Sequence, residues 1–377
     1  MDHNMTEVSA FDWAGARPEP AQETPGDPRP LAGVGCCMDL TEREGLPPPI
    51  EQEFTEGHLL DGRFLIQEVV GRSGMATIYR ALDQEKGGRV VAVKVPLMRI
   101  ESDPVTYGRF QREERIGFAL KDPRLLEFIP VEGQKSRPYI VMEYLDGCTL
   151  AYVLHRTRPL PEKDALRIAS VICEALEQMH ARRFVHRDLK PGNVMICRNQ
   201  NLCLMDFGLA AEVDSGFSLF DGLTPLFGTP EYMAPEQVRN KANDERTDIY
   251  CLGVILYQML TGVLPFQAED PWAAAQLRVN GDPVAPRFVN PAISLEAEEI
   301  VLRAMRRDPA ERYPSAAAFK AELDHPSHVH VTGLSNRLRA PSWRLSLQGT
   351  PVLSGIIIGV GSLLAMVGLF FLLMRHR

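Results

Sequence analysis

Two alternating apolar runs, Phe64–Val70 and Thr77–Leu82, flank a short glycine-containing stretch. Period-two alternation on both sides of a turn predicts a β-hairpin. The β-branched run Val91-Ala92-Val93 predicts a buried strand and ends in Lys94. An unpaired ammonium there would be costly, so Lys94 requires an anionic partner. Arg109–Glu113 lies in a helical stretch, and Tyr139–Met142 is an apolar strand that runs into a turn at Glu143–Gly147. Within Glu162–Arg182 the apolar residues Leu166, Ala169, Ile172, Leu176 and Met179 have helical spacing and predict a core helix. Asp248-Ile249-Tyr250-Cys251-Leu252-Gly253 opens a long apolar helix. Val352–Met374 carries no charge and is rich in Ile, Leu, Val, Gly and Phe. At ~1.5 Å per residue such a run spans a bilayer core of about 30 Å, and it predicts a transmembrane helix.

Candidate chemistry concentrates in His186-Arg187-Asp188-Leu189-Lys190-Pro191-Gly192-Asn193, followed by Asp206-Phe207-Gly208. These residues put a carboxylate base, a cation and two oxygen ligands of the kind Mg²⁺ prefers into one short stretch. Phosphoryl transfer needs such a set, because it runs mainly on positioning and charge neutralisation. Both motifs in this order resemble the protein kinases, and upstream segments match. Gly71-Arg72-Ser73-Gly74-Met75-Ala76-Thr77-Ile78 occupies the place of the phosphate loop, with Ser73 and Ala76 where the family's second and third glycines stand. Gly74-Met75 is similar to the Gly-Gly-Met variant of bacterial members. Val91-Ala92-Val93-Lys94 matches the strand that carries the phosphate-contacting lysine.

What the resemblance implies can be stated residue by residue. Asp188 positions or deprotonates the acceptor hydroxyl, Lys190 reaches the γ-phosphoryl, and Lys94 with Glu113 orients the α- and β-phosphates. Glu114 competes with Glu113, and the family's Phe-x-x-Glu spacing favours Glu113. Asn193 and Asp206 hold metal. Gly71, Arg72, Ser73 and Gly74 cover the phosphates. Ile78, Ala92 and Met195 wall the adenine, Met142 is the gatekeeper, and Glu143 and Leu145 offer backbone hydrogen bonds. Asp248 anchors the catalytic loop, and Arg312 pairs with Glu236. Lys190 and Thr229 point to serine/threonine rather than tyrosine acceptors. Arg187, directly before Asp188, marks members whose activation loop is ordered by phosphate, with Thr224 first and Ser218 second as acceptors. The implied fold is α+β and two-lobed, with a small β-rich N-lobe and a larger helical C-lobe, followed by a single C-terminal transmembrane helix. ATP and Mg²⁺ are the implied cofactors and protein Ser/Thr hydroxyls the substrates. A membrane-tethered pseudokinase scaffold is the alternative, supported by Ser73 and Ala76 and opposed by the intact Lys94, Glu113, Asp188, Asn193 and Asp206.

Composition adds the boundaries. The chain has 377 residues, 45% hydrophobic and 24% charged, ample for one catalytic domain with appendages. Its formal net charge of −8 is uneven: residues 1–56 hold twelve acids, three arginines and eight prolines. That is the composition of a disordered leader, and it has no apolar stretch of signal-peptide length. Residues 59–325 are expected to form the kinase domain. Residues 326–351, with Arg337, Arg339 and Arg344, read as a basic juxtamembrane linker, and 352–374 as the span. The seven cysteines show no Cys-x-x-Cys pair, which fits reduced packing residues. ATP dependence places the domain in the cytoplasm beneath a bacterial membrane. Gly355 and Gly359 have the Gly-x-x-x-Gly spacing that lets membrane helices approach; a homodimer seam and chance spacing both explain it. No segment is basic and aromatic enough to predict a nucleic-acid partner.

Overall fold

The computed structural model describes residues 54–212, 230–241, 244–268 and 270–339. Five strands, β1 (Leu59–Leu60), β2 (Phe64–Arg72), β3 (Ala76–Asp83), β4 (Arg89–Pro96) and β5 (Ile140–Glu143), form an antiparallel sheet in chain order. Between β4 and β5 lie α1 (Met98–Glu101) and α2 (Pro104–Ala119). Asp103 starts α2 by accepting from the N–H groups of Val105 and Thr106, with Pro104 at the first helical position, where no N–H is needed. Alternation along β4 separates two environments. Val91, Val93 and Val95 join Leu60, Phe64, Tyr79 and Val141 in an outer core. Ala92 belongs to the large core on the other side, and Lys94, two positions on, shares its strand face.

The rest is mostly helical. A small sheet of β6 (Gly147–Thr149), β8 (Val194–Cys197) and β9 (Leu202–Leu204) lies beside the pair β7 (Phe184–Val185) and β10 (Ala211–Glu212). Around them stand α3 (Leu150–Arg156), α4 (Glu162–His180), α5 (Pro235–Val238) and α6 (Glu245–Thr261). The lobe is completed by α7 (Pro271–Asn280), α8 (Pro286–Val289), α9 (Leu295–Ala304) and α10 (Ala316–Asp324). α4 buries Leu166, Ala169, Ile172, Leu176 and Met179, and α6 is buried along almost its whole length.

Boundaries differ from expectation for local reasons. α4 ends at His180, two residues short, because the chain turns through Arg183 at φ 63°. α6 begins before Asp248 because the Asp244 side chain caps it through the Arg246 N–H, and it stops at Gly262 in the left-handed region. Part of the stretch read as linker packs on the helical lobe. The Glu299 carboxylate accepts from the N–H groups of Thr332 and Leu334 at 3.0 and 3.1 Å, and the Arg339 N–H reaches Asp282 at 2.9 Å. Among the described residues no helix is long and apolar enough to cross a membrane. The expected span 352–374 lies outside the described residues, as do residues 1–53 and Ser218, Thr224 and Thr229.

Candidate active site

Lys94 sits on β4, between two neighbouring strands, opposite Ile78 on β3 and Ile140 on β5. Its ammonium donates to both carboxylate oxygens of Glu113 at 2.7 Å. Glu114, one step round α2, turns away and binds Lys135 at 2.8 Å. Lys94 also lies 4.0 Å from Asp206. Burial works against the Lys94 charge, but the carboxylates of Glu113 and Asp206 outweigh it and hold its pKa above the usual lysine value. Burial pushes the Glu113 carboxyl up, against the pull of the Lys94 ammonium.

The β8–β9 hairpin brings together Asn193 and Asp206, the two residues expected to ligate metal. Val194 pairs with Leu204, so Asn193 precedes one strand where Asp206 closely follows the other. The Met205 N–H donates to the Asn193 carbonyl at 2.9 Å. The Asn193 Nδ2 donates to the Asp188 carbonyl at 2.8 Å and to Asp188 Oδ2 at 3.2 Å, so its amide oxygen is the atom that could meet a metal. Burial opposes ionisation of Asp206, yet the ammonium groups of Lys94 and Lys190 hold its carboxyl below the ordinary value. Among the described residues no cluster of three or more His, Cys, Asp or Glu side chains could hold a metal. One carboxylate and one amide oxygen suit a hard divalent ion that completes its shell with phosphate and water, as Mg²⁺ does. Lys190 Nζ is 2.9 Å from Asp188 Oδ2.

The loop carrying Asp188 is strained and firmly held. Arg187 and Asp206 have φ values of 66° and 64°, a region that costs non-glycine residues energy. Asp248 accepts from the N–H groups of His186 and Arg187 at 2.9 and 3.0 Å, and its Oδ2 lies 2.8 Å from His180 Nε2. From α5, Gln237 donates to the Arg187 carbonyl at 2.7 Å. Phe207 is fully buried, its ring 5.9 Å from that of Phe128 and 6.1 Å from that of His186. Lower down, Glu236 and Arg312 form a two-pronged ion pair at 2.7 Å, and the Thr247 hydroxyl donates to Glu236 at 2.9 Å.

A cavity of about 290 Å³ joins these groups: Ser73, Gly74, Lys94, Glu113, Asp188, Lys190, Asp206 and Gly208 line it. Arg109 and Phe110, from the stretch that carries Glu113, line it too, as do Ile100, Thr106 and Leu209, which no motif had singled out. Gly71 and Arg72 end β2, where a register irregularity between Val69 and Gly71 precedes the tip. At the tip, the Ser73 Oγ accepts from the N–H groups of Met75 and Ala76 at 3.3 and 3.0 Å. The hydroxyl thus occupies loop donors that the sequence leaves open for phosphate. Ala92, Met142 and Met195 lie in the large core with Ile78 packed against it. The Glu143 N–H is already donated to the Glu127 carbonyl at 2.9 Å, so Glu143 can meet a base edge only through its carbonyl oxygen. Leu145 is half-buried beside the same core. Gln237, His180 and Phe128, which hold the loop and the Phe207 ring, carried no sequence signal.

Fold and site together define a two-lobed protein whose cavity, lined by Lys94, Glu113, Asp188, Lys190 and Asp206, lies between a sheet and a helical lobe. The chain belongs to the protein kinase family: the protein kinase domain model matches residues 64–324. It is 37% identical over 273 residues to the serine/threonine-protein kinase PknB of Mycobacterium leprae, covering 71% of this chain and 43% of that protein. PknB of Mycolicibacterium smegmatis is 38% identical over 274 residues, with the same coverage, 71% and 43%. Pkn1 of Myxococcus xanthus, also a serine/threonine-protein kinase, is 37% identical over 298 residues, covering 77% of this chain and 42% of that protein. The aligned part is thus less than half the length of these relatives, all bacterial serine/threonine-protein kinases by name.

Proposed function

We propose that the chain is an ATP-dependent serine/threonine protein kinase that phosphorylates protein hydroxyls, its own included. The observation that carries this reading is the closed Lys94–Glu113 pair facing Asp206, with Asp188 and Lys190 on the same cavity. Bound ATP with its Mg²⁺ supplies the transferable phosphoryl group. Asp188 orients the acceptor hydroxyl and takes its proton, and Lys190 offsets charge that builds on the transferring group. Lys94, fixed by Glu113, holds the inner phosphates, while Asn193 and Asp206 hold the metal. Ile78, Ala92, Met142 and Met195 supply apolar walls for the base, with the backbones of Glu143 and Leu145 at its edge. Gly71, Arg72, Ser73 and Gly74 close over the phosphates. Lys190 and the names of the relatives support Ser/Thr acceptors. The pseudokinase scaffold is not favoured, because every charged group needed for transfer is present.

Two appendages complete the reading. Val352–Met374 tethers the kinase to a membrane with the catalytic domain on the ATP-containing side, and Gly355 and Gly359 pair two spans. Arg187 receives a phosphate on Thr224, or on Ser218, that orders the activation loop. Purified full-length protein with labelled ATP, an acceptor protein and Mg²⁺ should transfer label to Ser and Thr. Absence of any transfer by folded, metal-loaded protein removes the reading. Full activity of a Thr224→Ala, Ser218→Ala double variant removes the phosphate switch. Recovery of the full chain in the soluble fraction, without lipid or detergent, removes the tether.

A further inference from the structure

α7 carries a cation at an unusual place. Arg278 is 1% exposed, and its guanidinium is committed to backbone carbonyls. Its Nη1 donates to Pro230 and, at 3.2 Å, to Met233, while its Nη2 donates to Glu231 at 2.6 Å. The Phe266 ring lies 5.5 Å from the charge. Burial pulls the guanidinium below the usual arginine value, a desolvation cost that its carbonyl partners offset only while they stay in place. The hold is reciprocal, since Arg239, just past α5, donates to the Val279 carbonyl at 3.0 Å. Met233, Val238, Ala275 and Val279 form an apolar cluster of their own between the two arginines. Segment 230–239 and α7 are therefore one clasped unit.

That unit reaches the catalytic loop. The Ala234 N–H donates to Gln237 Oε1 at 2.9 Å, and Gln237 Nε2 donates to the carbonyl of Arg187, the neighbour of Asp188. Contacts thus run from α7 through residues 230–237 to the carbonyl of Arg187, next to Asp188. We propose that Arg278 is a positioning residue for the acceptor: it holds segment 230–236 against the loop of Asp188, the residue that orients the acceptor hydroxyl, and so sets affinity for the protein substrate, not for nucleotide. The proposal rests on the kinase reading and extends it to a residue outside the cleft. A planar fork can serve three carbonyls at once, whereas lysine offers a single nitrogen.

The test uses full-length Arg278→Met and Arg278→Lys proteins. It reads KM for a protein acceptor, KM for ATP, and amide hydrogen exchange across 230–236. Both variants should raise the acceptor KM at least tenfold with the ATP KM within twofold. Exchange at Ala234, whose N–H donates to Gln237 at 2.9 Å, should quicken at least tenfold, with Glu113 unchanged. A wild-type acceptor KM in Arg278→Met overturns the proposal, and so does an equal rise in both KM values, which marks general loss of structure. If the Met variant fails to fold, the Lys variant decides by the same criteria. Should the wild type transfer no phosphate, the kinase reading fails, and exchange alone judges the clasp: unchanged exchange at 230–236 overturns it.

Discussion

Gly117 is the position where two opposing effects can be weighed by number. It lies one helical turn beyond Glu113 on α2, and a Cβ there would meet three Phe128 ring atoms at 2.4, 2.4 and 2.6 Å. The ring cannot swing aside freely: Phe128 is 6% exposed, with Phe207 at 5.9 Å and Phe118 at 6.2 Å. Gly117→Ala gains about 0.5–1 kcal/mol of helix propensity. Overpacking a closed core costs about 1–3 kcal/mol, and overlap of this depth falls in the upper half of that range. The net expectation is a loss of ~1–2 kcal/mol, which lowers Tm by about 2–4 °C per kcal/mol in a domain of this size. Relief requires the ring or α2 to shift by about 1 Å, and a misplacement of that size costs on the order of 100-fold in rate. Phe207 would carry the disturbance to Asp206, and α2 would carry it to Glu113. Calorimetry and phosphate-transfer rates on Gly117→Ala, with Gly117→Ala/Phe128→Leu as the relieved variant, separate the terms. If Gly117→Ala is as stable and as active as wild type, the ring contact does not position the site.

Three further outcomes follow from named contacts. Ser73→Gly frees the Met75 and Ala76 N–H groups, each hydrogen bond being worth about 0.5–1.5 kcal/mol; nucleotide titration should show severalfold tighter binding, and weaker binding would mean the hydroxyl aids phosphate capture. Arg312→Met strands the Glu236 carboxylate, which is 7% exposed, and should cost about 3–5 kcal/mol in denaturant unfolding; a loss below 1 kcal/mol would contradict this. Burial opposes the Asp248 charge, but the hydrogen bond to His180 and the N–H donors hold its carboxyl below the ordinary 3.8. Its stabilisation is therefore present above that value and lost as pH falls through the lower folded value; Asp248→Asn should flatten this acid limb of stability, and an unchanged limb would place the titration elsewhere.

Legibility in the sequence followed the range of each interaction. The β2–β3 hairpin, Lys94 at the end of a β-branched run and the α4 stripe all express local periodicity, so a reader of the chain finds them. The choice of Glu113 over Glu114 rested on family spacing, and the structure puts Glu113 on Lys94 while Glu114 meets Lys135. What stayed hidden joins residues far apart in the chain. Gln237 reaches Arg187 across 50 positions, Arg278 reaches Pro230 across 48, and Phe128 packs against Gly117 by shape alone. Glutamine, arginine and phenylalanine are common enough that none of them signals such a partner. The Ser73 hydroxyl is a subtler case. The sequence shows a serine in a glycine's place, but only the turn geometry shows it capturing its own loop's N–H groups.

Asp188→Asn tests the phosphotransfer reading most directly, because it keeps the size of the side chain and removes only the base. Full-length wild type and variant, matched for ATP·Mg²⁺ occupancy by titration, are given labelled ATP and an acceptor protein, and the label is traced by phosphoamino-acid analysis. The wild type should label serine and threonine, while the variant binds nucleotide within severalfold of wild type and loses at least 100-fold in transfer. Equal transfer by the two proteins, or none by the wild type, would contradict the assignment of Asp188 as the base of a serine/threonine kinase.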